Sequence, residues 1–187
     1  ASRMANLAVT CYRTSRRRDD DLLATVRAID DAIATQFGDA RFVTGQLATL
    51  DLDTGAISTI NAGHPAPLRF DASGSWEELP CARTLPFGLG GVPDGEPVTA
   101  KMGSGDSVLF HTDGITEARS AAGEFFGDDR LRQPVRELLT SDVRPAEVLR
   151  QVVSELLAHR PALRDDASLV LLGWNAGERA LPPLVRD

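Results

Sequence analysis

The spacing of apolar residues changes along this chain, and that change limits the folds it can form. Up to about residue 38, apolar side chains recur every three or four positions, which is typical of amphipathic helices. From Phe42 onward they alternate every second residue, which is typical of strands. Helical spacing returns near Asp128, and a last apolar run follows at 168–172. Helices, then hairpins, then helices and a final strand predict an α+β fold with antiparallel sheets, not a doubly wound parallel sheet.

Caps and turn residues predict where these elements end. Gly38 suits the end of the second helix, Asp53-Thr54-Gly55 closes a hairpin, and Pro145 suits the first turn of the last helix. The predicted strands cover 42–52, 56–61, 67–70, 76–79, 97–102, 107–111 and 168–172. The predicted helical stripes are Met4, Leu7, Ala8 and Cys11; Leu22, Leu23, Val26, Ile29, Ile33 and Phe37; Leu131, Val135, Leu138 and Leu139, capped by Asp128; and Val148, Leu149, Val152, Val153, Leu156 and Leu157.

The chain shows no internal repeat and no linker composition. We therefore predict one domain over 1–175 and a C-terminal tail over 176–187. The first helical stripe is already under way at Met4, with no initiator methionine before it. We expect the chain to be a piece of a longer protein, with further strands upstream of Ala1.

Composition argues against several classes of function. A net charge of −7 does not suit a protein that neutralises nucleic-acid phosphates over a broad face. No segment approaches the ~20 apolar residues of a membrane helix. Cys11 and Cys81 are isolated and form no metal or redox motif, which favours a reduced compartment. We expect a cytoplasmic location, with no nucleic-acid or membrane partner.

Asp113 is the first candidate for chemistry. It follows a buried apolar strand inside His111-Thr112-Asp113-Gly114, where Gly114 lets the backbone turn sharply. A carboxylate at the mouth of a strand can serve as an oxygen ligand for a hard cation. The tetrapeptide alone equally allows a turn aspartate that accepts backbone N–H bonds.

The second candidate is Arg164-Asp165-Asp166, directly before the last strand. Two adjacent carboxylates repel each other and need a cation or a cluster of donors nearby. Arg164 could supply part of that charge, so a purely structural role stays open. Because oxygen ligands suit Mg²⁺ or Mn²⁺ and not zinc, a shared metal site with Asp113 would hold one of those two ions.

Other motifs give weaker signals. Asp51-Leu52-Asp53-Thr54 superficially matches the nucleophile loop of haloacid-dehalogenase-type phosphatases, but a tight hairpin follows it. Gly88-Leu89-Gly90-Gly91 opens no helix, so it is not a dinucleotide loop. No serine lies in a G-x-S-x-G context. These observations leave the chain without a protein nucleophile.

Seven short segments together resemble the phosphatase domain of stage II sporulation protein E and related stress-response phosphatases, within the protein phosphatase 2C-like superfamily. The resemblance runs from about residue 1 to residue 172, and its specificity comes from the order of the segments. The segments are Phe42-Val43-Thr44, Asn61-Ala62-Gly63-His64-Pro65, Leu85-Pro86-Phe87-Gly88-Leu89, Gly105-Asp106, Thr112-Asp113-Gly114-Ile115-Thr116-Glu117-Ala118, Phe125-Phe126-Gly127 and Asp165-Asp166-Ala167-Ser168.

The resemblance implies an antiparallel β-sandwich flanked by helices, with two Mn²⁺ or Mg²⁺ ions that hydrolyse phosphoserine or phosphothreonine. It assigns metal-ligand roles to Asp113 and Asp165, with Gly114 and Asp166 as secondary candidates. A metal-activated water would attack phosphorus in line. That chemistry needs no protein nucleophile.

Two departures from the family pattern stand out. The family's first motif, Asp-x-x-Gly-x-Gly, is absent from this sequence, so we expect an N-terminally truncated domain with weak metal binding and little turnover. His64 takes the place of an aspartate that helps hold a third metal in broader superfamily members. We interpret His64 as a residue that packs its loop.

Two functions follow as hypotheses. The first is an enzyme that dephosphorylates a regulatory protein of the anti-anti-sigma-factor type, in a longer protein that could carry an upstream sensor domain. The second is a phosphatase-like domain that has lost catalysis and binds a partner in the same pathway. Open sheet edges left by a truncation would also favour a homodimer.

Overall fold

Two four-stranded sheets form the centre of the computed structural model, which describes residues 2–38, 41–91, 96–139, 141, 143–160 and 167–177. The first sheet contains β1 (Gly45–Leu50), β2 (Ala56–Ala62), β5 (Ala82–Thr84) and β6 (Val98–Lys101). The second contains β3 (Leu68–Phe70), β4 (Trp76–Glu78), β7 (Asp106–His111) and β8 (Leu169–Trp174). The helices are α1 (Ser2–Arg18), α2 (Leu22–Phe37), α3 (Asp113–Thr116), α4 (Gly127–Leu139) and α5 (Pro145–His159).

Strand pairing is antiparallel in the second sheet and mostly antiparallel in the first. The second sheet has the order β4-β3-β7-β8. In the first sheet, β2 pairs with β1 along one edge and with β6 and β5 along the other. Only the β2–β5 pair is parallel among the described strands. The predicted α+β class with antiparallel sheets is therefore confirmed.

Three apolar clusters separate four layers. Successive side chains of β7 point to opposite faces of its sheet, so Val108 packs toward the first sheet and Leu109 packs toward α4 and α5. The cluster between the sheets contains Ile57, Leu79, Met102, Val108 and Trp174. The cluster under α1 and α2 contains Leu22, Val26, Ile29, Ile33, Leu47, Ile60, Ala62 and Phe87. The cluster under α4 and α5 includes Leu68, Phe70, Leu109, Leu131, Val135, Val148, Val152 and Leu156. The result is a helix–sheet–sheet–helix sandwich.

The helices follow the predicted stripes with two differences. Gly38 ends α2 with φ +77° and donates its N–H to the Ala34 carbonyl, as expected of a C-terminal glycine. Asp128 lies inside the first turn of α4 and does not cap it, because the helix begins at Gly127. Val153 and Leu157 are 42% and 45% exposed, so α5 buries a narrower stripe than predicted. The Leu138 side chain lies outside the described residues. None of the described helices has the length and hydropathy required to cross a membrane.

One strand boundary differs from the prediction because a side chain takes the backbone N–H groups that would otherwise bond to the next strand. The predicted strand 42–52 narrows to β1, since Asp51 Oδ1 accepts the N–H groups of Asp53 and Thr54 and turns the chain. The last strand continues to Trp174 and forms an edge of the second sheet, where Val170 is 57% exposed although the run 168–172 is apolar. The short elements β5 and α3 were not predicted. Residues 178–187 of the predicted tail lie outside the described residues.

A charged pair lies inside the second sheet. Arg69 on β3 donates through Nε and Nη2 to Asp106 Oδ2 on β7, at 3.0 and 2.7 Å. Asp106 is 4% exposed and also accepts the Gly103 N–H at 2.8 Å. Hydrogen bonding to Asp106 raises the pKa of Arg69, so its guanidinium stays charged at ordinary pH. The pair links β3 to β7, the strand that ends directly before Thr112 and Asp113.

Replacing Arg69 by Ala should destabilise the protein strongly, because the Asp106 carboxylate stays buried without its cation. We expect a loss of about 2–4 kcal/mol in the free energy of unfolding, measured by urea titration. Arg83→Ala is the matched control, since the Arg83–Glu78 pair is exposed at 73% and 62% and should contribute little. Equal losses in the two variants would contradict this account of the buried pair.

Candidate metal centre

Asp113 leaves the end of β7 at the start of a short helix. The strand ends at His111, Thr112 is extended at φ −95° and ψ 158°, and Asp113 begins α3. The Asp113 residue is exposed. Among the described residues, no group donates a hydrogen bond to its carboxylate. The geometry therefore leaves this carboxylate available to a cation, and it does not show the N–H bonds that the turn interpretation needs.

Thr112 ties this strand end to the start of β8. The Thr112 N–H donates to the Ser168 carbonyl at 3.1 Å, and the Ser168 N–H donates to Thr112 Oγ1 at 3.0 Å. Ser168 follows Asp165 by three residues, a span of about 10 Å at most when extended. The residue next to Asp113 is thus bonded to the segment that follows Asp165.

Asp165 and Asp166 themselves lie outside the described residues, so their pairing with Asp113 stays a prediction. Within the described part of the chain, no group of three or more His, Cys, Asp or Glu side chains could hold a metal ion. Of the predicted ligands, that part contains the exposed Asp113 and the half-buried Gly114 beside it. Mg²⁺ and Mn²⁺ prefer carboxylate oxygens as ligands. The Asp113 carboxylate, the predicted side-chain ligand that the structure describes, therefore suits these ions.

The loop 61–65 is held rigidly between the two sheets. Asn61 is 4% exposed, donates from Nδ2 to the His64 carbonyl at 2.9 Å and accepts the His64 N–H on Oδ1 at 2.8 Å. Gln46 donates from Nε2 to the Pro65 carbonyl. Gly63 turns the chain with φ +72°, and a side chain there would meet Pro86. Both ends of the His64 residue are therefore fixed by a buried amide.

The loop that carries His64 lies at the same end of the second sheet as Asp113. Leu68, the first residue of β3, lies opposite Leu109 in the antiparallel β3–β7 pair. The loop that precedes β3 therefore lies at the end of the sheet where β7 runs into α3. Burial lowers the pKa of His64, and the negative charge of Asp113 acts in the opposite direction, so the two side chains lie within electrostatic range. The loop and the strand end thus share one space.

His111 lies beneath this space. It is 6% exposed, and its Nδ1 lies 3.4 Å from the Thr112 carbonyl. Burial lowers the pKa of His111, while the Thr112 carbonyl and the charge of Asp128 act to raise it. A buried imidazole with a lowered pKa favours the neutral form at ordinary pH. His111 therefore adds no positive charge next to Asp113.

Asp30 holds the neighbouring glycine loop, and sequence reasoning missed it. This α2 residue is 5% exposed and accepts the N–H of Gly88 at 2.7 Å and of Gly90 at 3.3 Å on Oδ1. Phe87 exchanges two backbone hydrogen bonds with Val43 at 2.9 and 3.1 Å. A single acid inside an otherwise apolar helix stripe was the signal that could have identified Asp30, because buried charges need partners.

Replacing Gly88 by Ala should cost clearly more stability than replacing Gly90 by Ala. Both glycines have positive φ, at +101° and +71°, which costs about 1–2 kcal/mol for a residue with a Cβ. At Gly88 the added Cβ would also approach Ile33 Cγ2 at 2.6 Å and the Arg41 carbonyl at 2.8 Å, whereas nothing lies within 4 Å at Gly90. Urea unfolding of the two variants measures the difference. Equal effects would mean that the loop does not pack on α2 as described.

Fold and sequence comparisons define the class of protein. The chain superposes on the RsbU and RsbW domains of Rv1364c from Mycobacterium tuberculosis with a TM-score of 0.78, at 23% identity, covering 94% of this chain and 48% of that chain. It superposes on the SiaA-PP2C domain of Pseudomonas aeruginosa with a TM-score of 0.75, at 18% identity, covering 92% of this chain and 69% of that chain. At these identities the matches show a shared fold, that of protein phosphatase 2C domains.

A family model goes further. The model described as Stage II sporulation protein E matches residues 1–175, and the chain belongs to that family. Protein IcfG of a Synechocystis species is 33% identical over 140 residues, which are 73% of this chain and 21% of that protein. The chain therefore spans about a fifth of this curated relative. The family resemblance stated from the sequence is confirmed.

Proposed function

We propose that this chain is a metal-dependent serine/threonine protein phosphatase domain whose Mn²⁺ or Mg²⁺ ions are held by Asp113 and Asp165. The observation that supports it is the pair of hydrogen bonds between Thr112 and Ser168, at 3.1 and 3.0 Å. These bonds join Thr112, which directly precedes Asp113, to Ser168, which follows Asp165 by three residues. Gly114, through its carbonyl, and Asp166 are the secondary candidates.

In this proposal the residues of the chain hold the metal ligands in position. Thr112 fixes the end of β7, so the Asp113 carboxylate leaves the strand in a defined direction. Bound metal ions would supply an activated water and would offset charge on the phosphoryl oxygens. Asn61 fixes the loop that carries His64 beside this space, which limits reorganisation when a phosphate group enters.

For the substrate we propose a phosphorylated regulatory protein of the anti-anti-sigma-factor type. Support comes from membership of the stage II sporulation protein E family and from the structural match to a protein that carries RsbU and RsbW domains together. A seryl or threonyl phosphate on a folded partner needs an open approach. The exposed position of Asp113 provides one.

A second candidate is a phosphatase-like domain that binds a partner without catalysis. The observation that favours it is the lack of a three-ligand acidic cluster within the described residues. Metal binding separates the two candidates, since a binding domain would need neither Mn²⁺ nor Mg²⁺ to recognise its partner.

Replacing Asp113 by Asn should remove the metal site. We expect Mn²⁺ affinity to fall by about 100-fold, because loss of a ligand costs at least as much as loss of an outer-shell partner. Calorimetry measures binding, and Mn²⁺-dependent phosphate release from a phosphoserine peptide by the full-length protein measures turnover. Asp129→Asn is the control, because the Asp129 side chain is fully exposed on α4.

Unchanged Mn²⁺ affinity and turnover in Asp113→Asn would refute the metal assignment. Metal-independent recognition of a phosphorylated regulator, with no phosphate release, would instead favour the binding domain.

A further inference from the structure

His64 differs from the other two histidines of the chain in having an uncommitted ring, one that no described residue hydrogen-bonds. His111 is buried beside the Thr112 carbonyl. His159 contacts Arg130 through Nδ1 and the Glu124 carbonyl through Nε2, at 2.5 and 3.0 Å. The described residues provide no hydrogen-bond partner for the ring of His64, which is half-buried. Its ring nitrogens are therefore open to a ligand.

The backbone of His64 is, by contrast, tightly held. The buried amide of Asn61 binds both its N–H and its carbonyl, at 2.8 and 2.9 Å. Gln46 holds the next carbonyl, that of Pro65. A tightly held backbone below a ring that no described residue hydrogen-bonds is the arrangement expected of a side chain that binds a ligand.

The position of the ring indicates what that ligand is. The loop before β3 and the end of β7 lie at the same end of the second sheet, and His64 lies within electrostatic range of Asp113, in the space where metal-bound phosphate is expected. A phosphate monoester presents three terminal oxygens, all acceptors. Any oxygen that does not contact a metal ion needs an N–H or O–H donor, and a neutral imidazole has one N–H to give. Donation to a charged oxygen is among the stronger hydrogen bonds in proteins.

We propose that His64 donates a ring N–H to a phosphoryl oxygen of the bound phosphate monoester, and that Asn61 is the positioning residue that presents His64 to it. This inference rests on the proposed phosphatase function. It replaces the interpretation of His64 as a residue that only packs its loop. Since one N–H is enough, the contact does not require a protonated ring.

The test measures affinity for inorganic phosphate by calorimetry, on the full-length protein saturated with Mn²⁺. His64→Ala should weaken phosphate binding by about tenfold or more, since a hydrogen bond to a charged group is lost. His64→Gln should lose less, because its amide retains an N–H donor. Asn61→Ala should weaken phosphate binding although His64 is still present. His159→Gln is the matched control and should bind phosphate as the unaltered protein does.

The readouts separate the inference from the proposed function. Phosphate affinity unchanged in His64→Ala, with Mn²⁺ binding intact, would overturn the inference alone. A parallel loss of Mn²⁺ affinity in His64→Ala would also overturn it, because His64 would then act on the metal. Absence of Mn²⁺ binding to the unaltered protein would overturn the proposed function and the inference with it. Far-ultraviolet circular dichroism confirms that each variant is folded, and the Gln variant keeps the test decisive if the Ala variant is not.

Discussion

Two hydrogen bonds between Thr112 and Ser168 hold the functional end of this protein together. They close the β7–β8 ladder beyond its last pair, His111 with Leu169. Because Thr112 precedes Asp113, the direction in which the carboxylate leaves the sheet depends on these bonds. A metal ligand placed at the end of a strand needs such a constraint, because its side chain must be held in one orientation to bind the ion.

The surrounding loops are fixed by buried polar side chains from different layers. Asn61 holds the loop that carries His64, and Asp30 reaches from α2 to the glycine loop at Gly88. Each buried group is satisfied by backbone donors or acceptors, so its desolvation cost is offset. The apolar clusters then keep the layers at their spacing. The site is therefore supported from the helices outward as well as from the sheets.

Much of the fold could be predicted from the sequence, because the spacing of apolar residues shows which face of a helix or strand is buried. The helices, the hairpins and the exposed position of Asp113 followed from it. Pairing of β5 with β2 could not be predicted, since a three-residue strand has too little alternation to detect. Exposure of Leu157 depends on how α5 crosses its sheet, which a helical stripe does not encode. The role of Asp30 required knowing which loop lies against α2.

The site was predicted only in part for the same reason. Asp113 was a candidate from its motif alone, whereas the bond between Thr112 and Ser168 joins residues 56 positions apart and is visible only in the fold. The uncommitted ring of His64 likewise becomes visible only when the partners of all three histidines are known.

The most direct test of the account is paramagnetic broadening of backbone amide signals by Mn²⁺ in nuclear magnetic resonance spectra of the protein. The account predicts selective broadening at Gly114, His64 and Ser168, and unbroadened signals at Leu52, which lies in the β1–β2 turn away from these residues. Broadening centred instead on the acidic run Asp19-Asp20-Asp21, with sharp signals at Gly114 and His64, would contradict it.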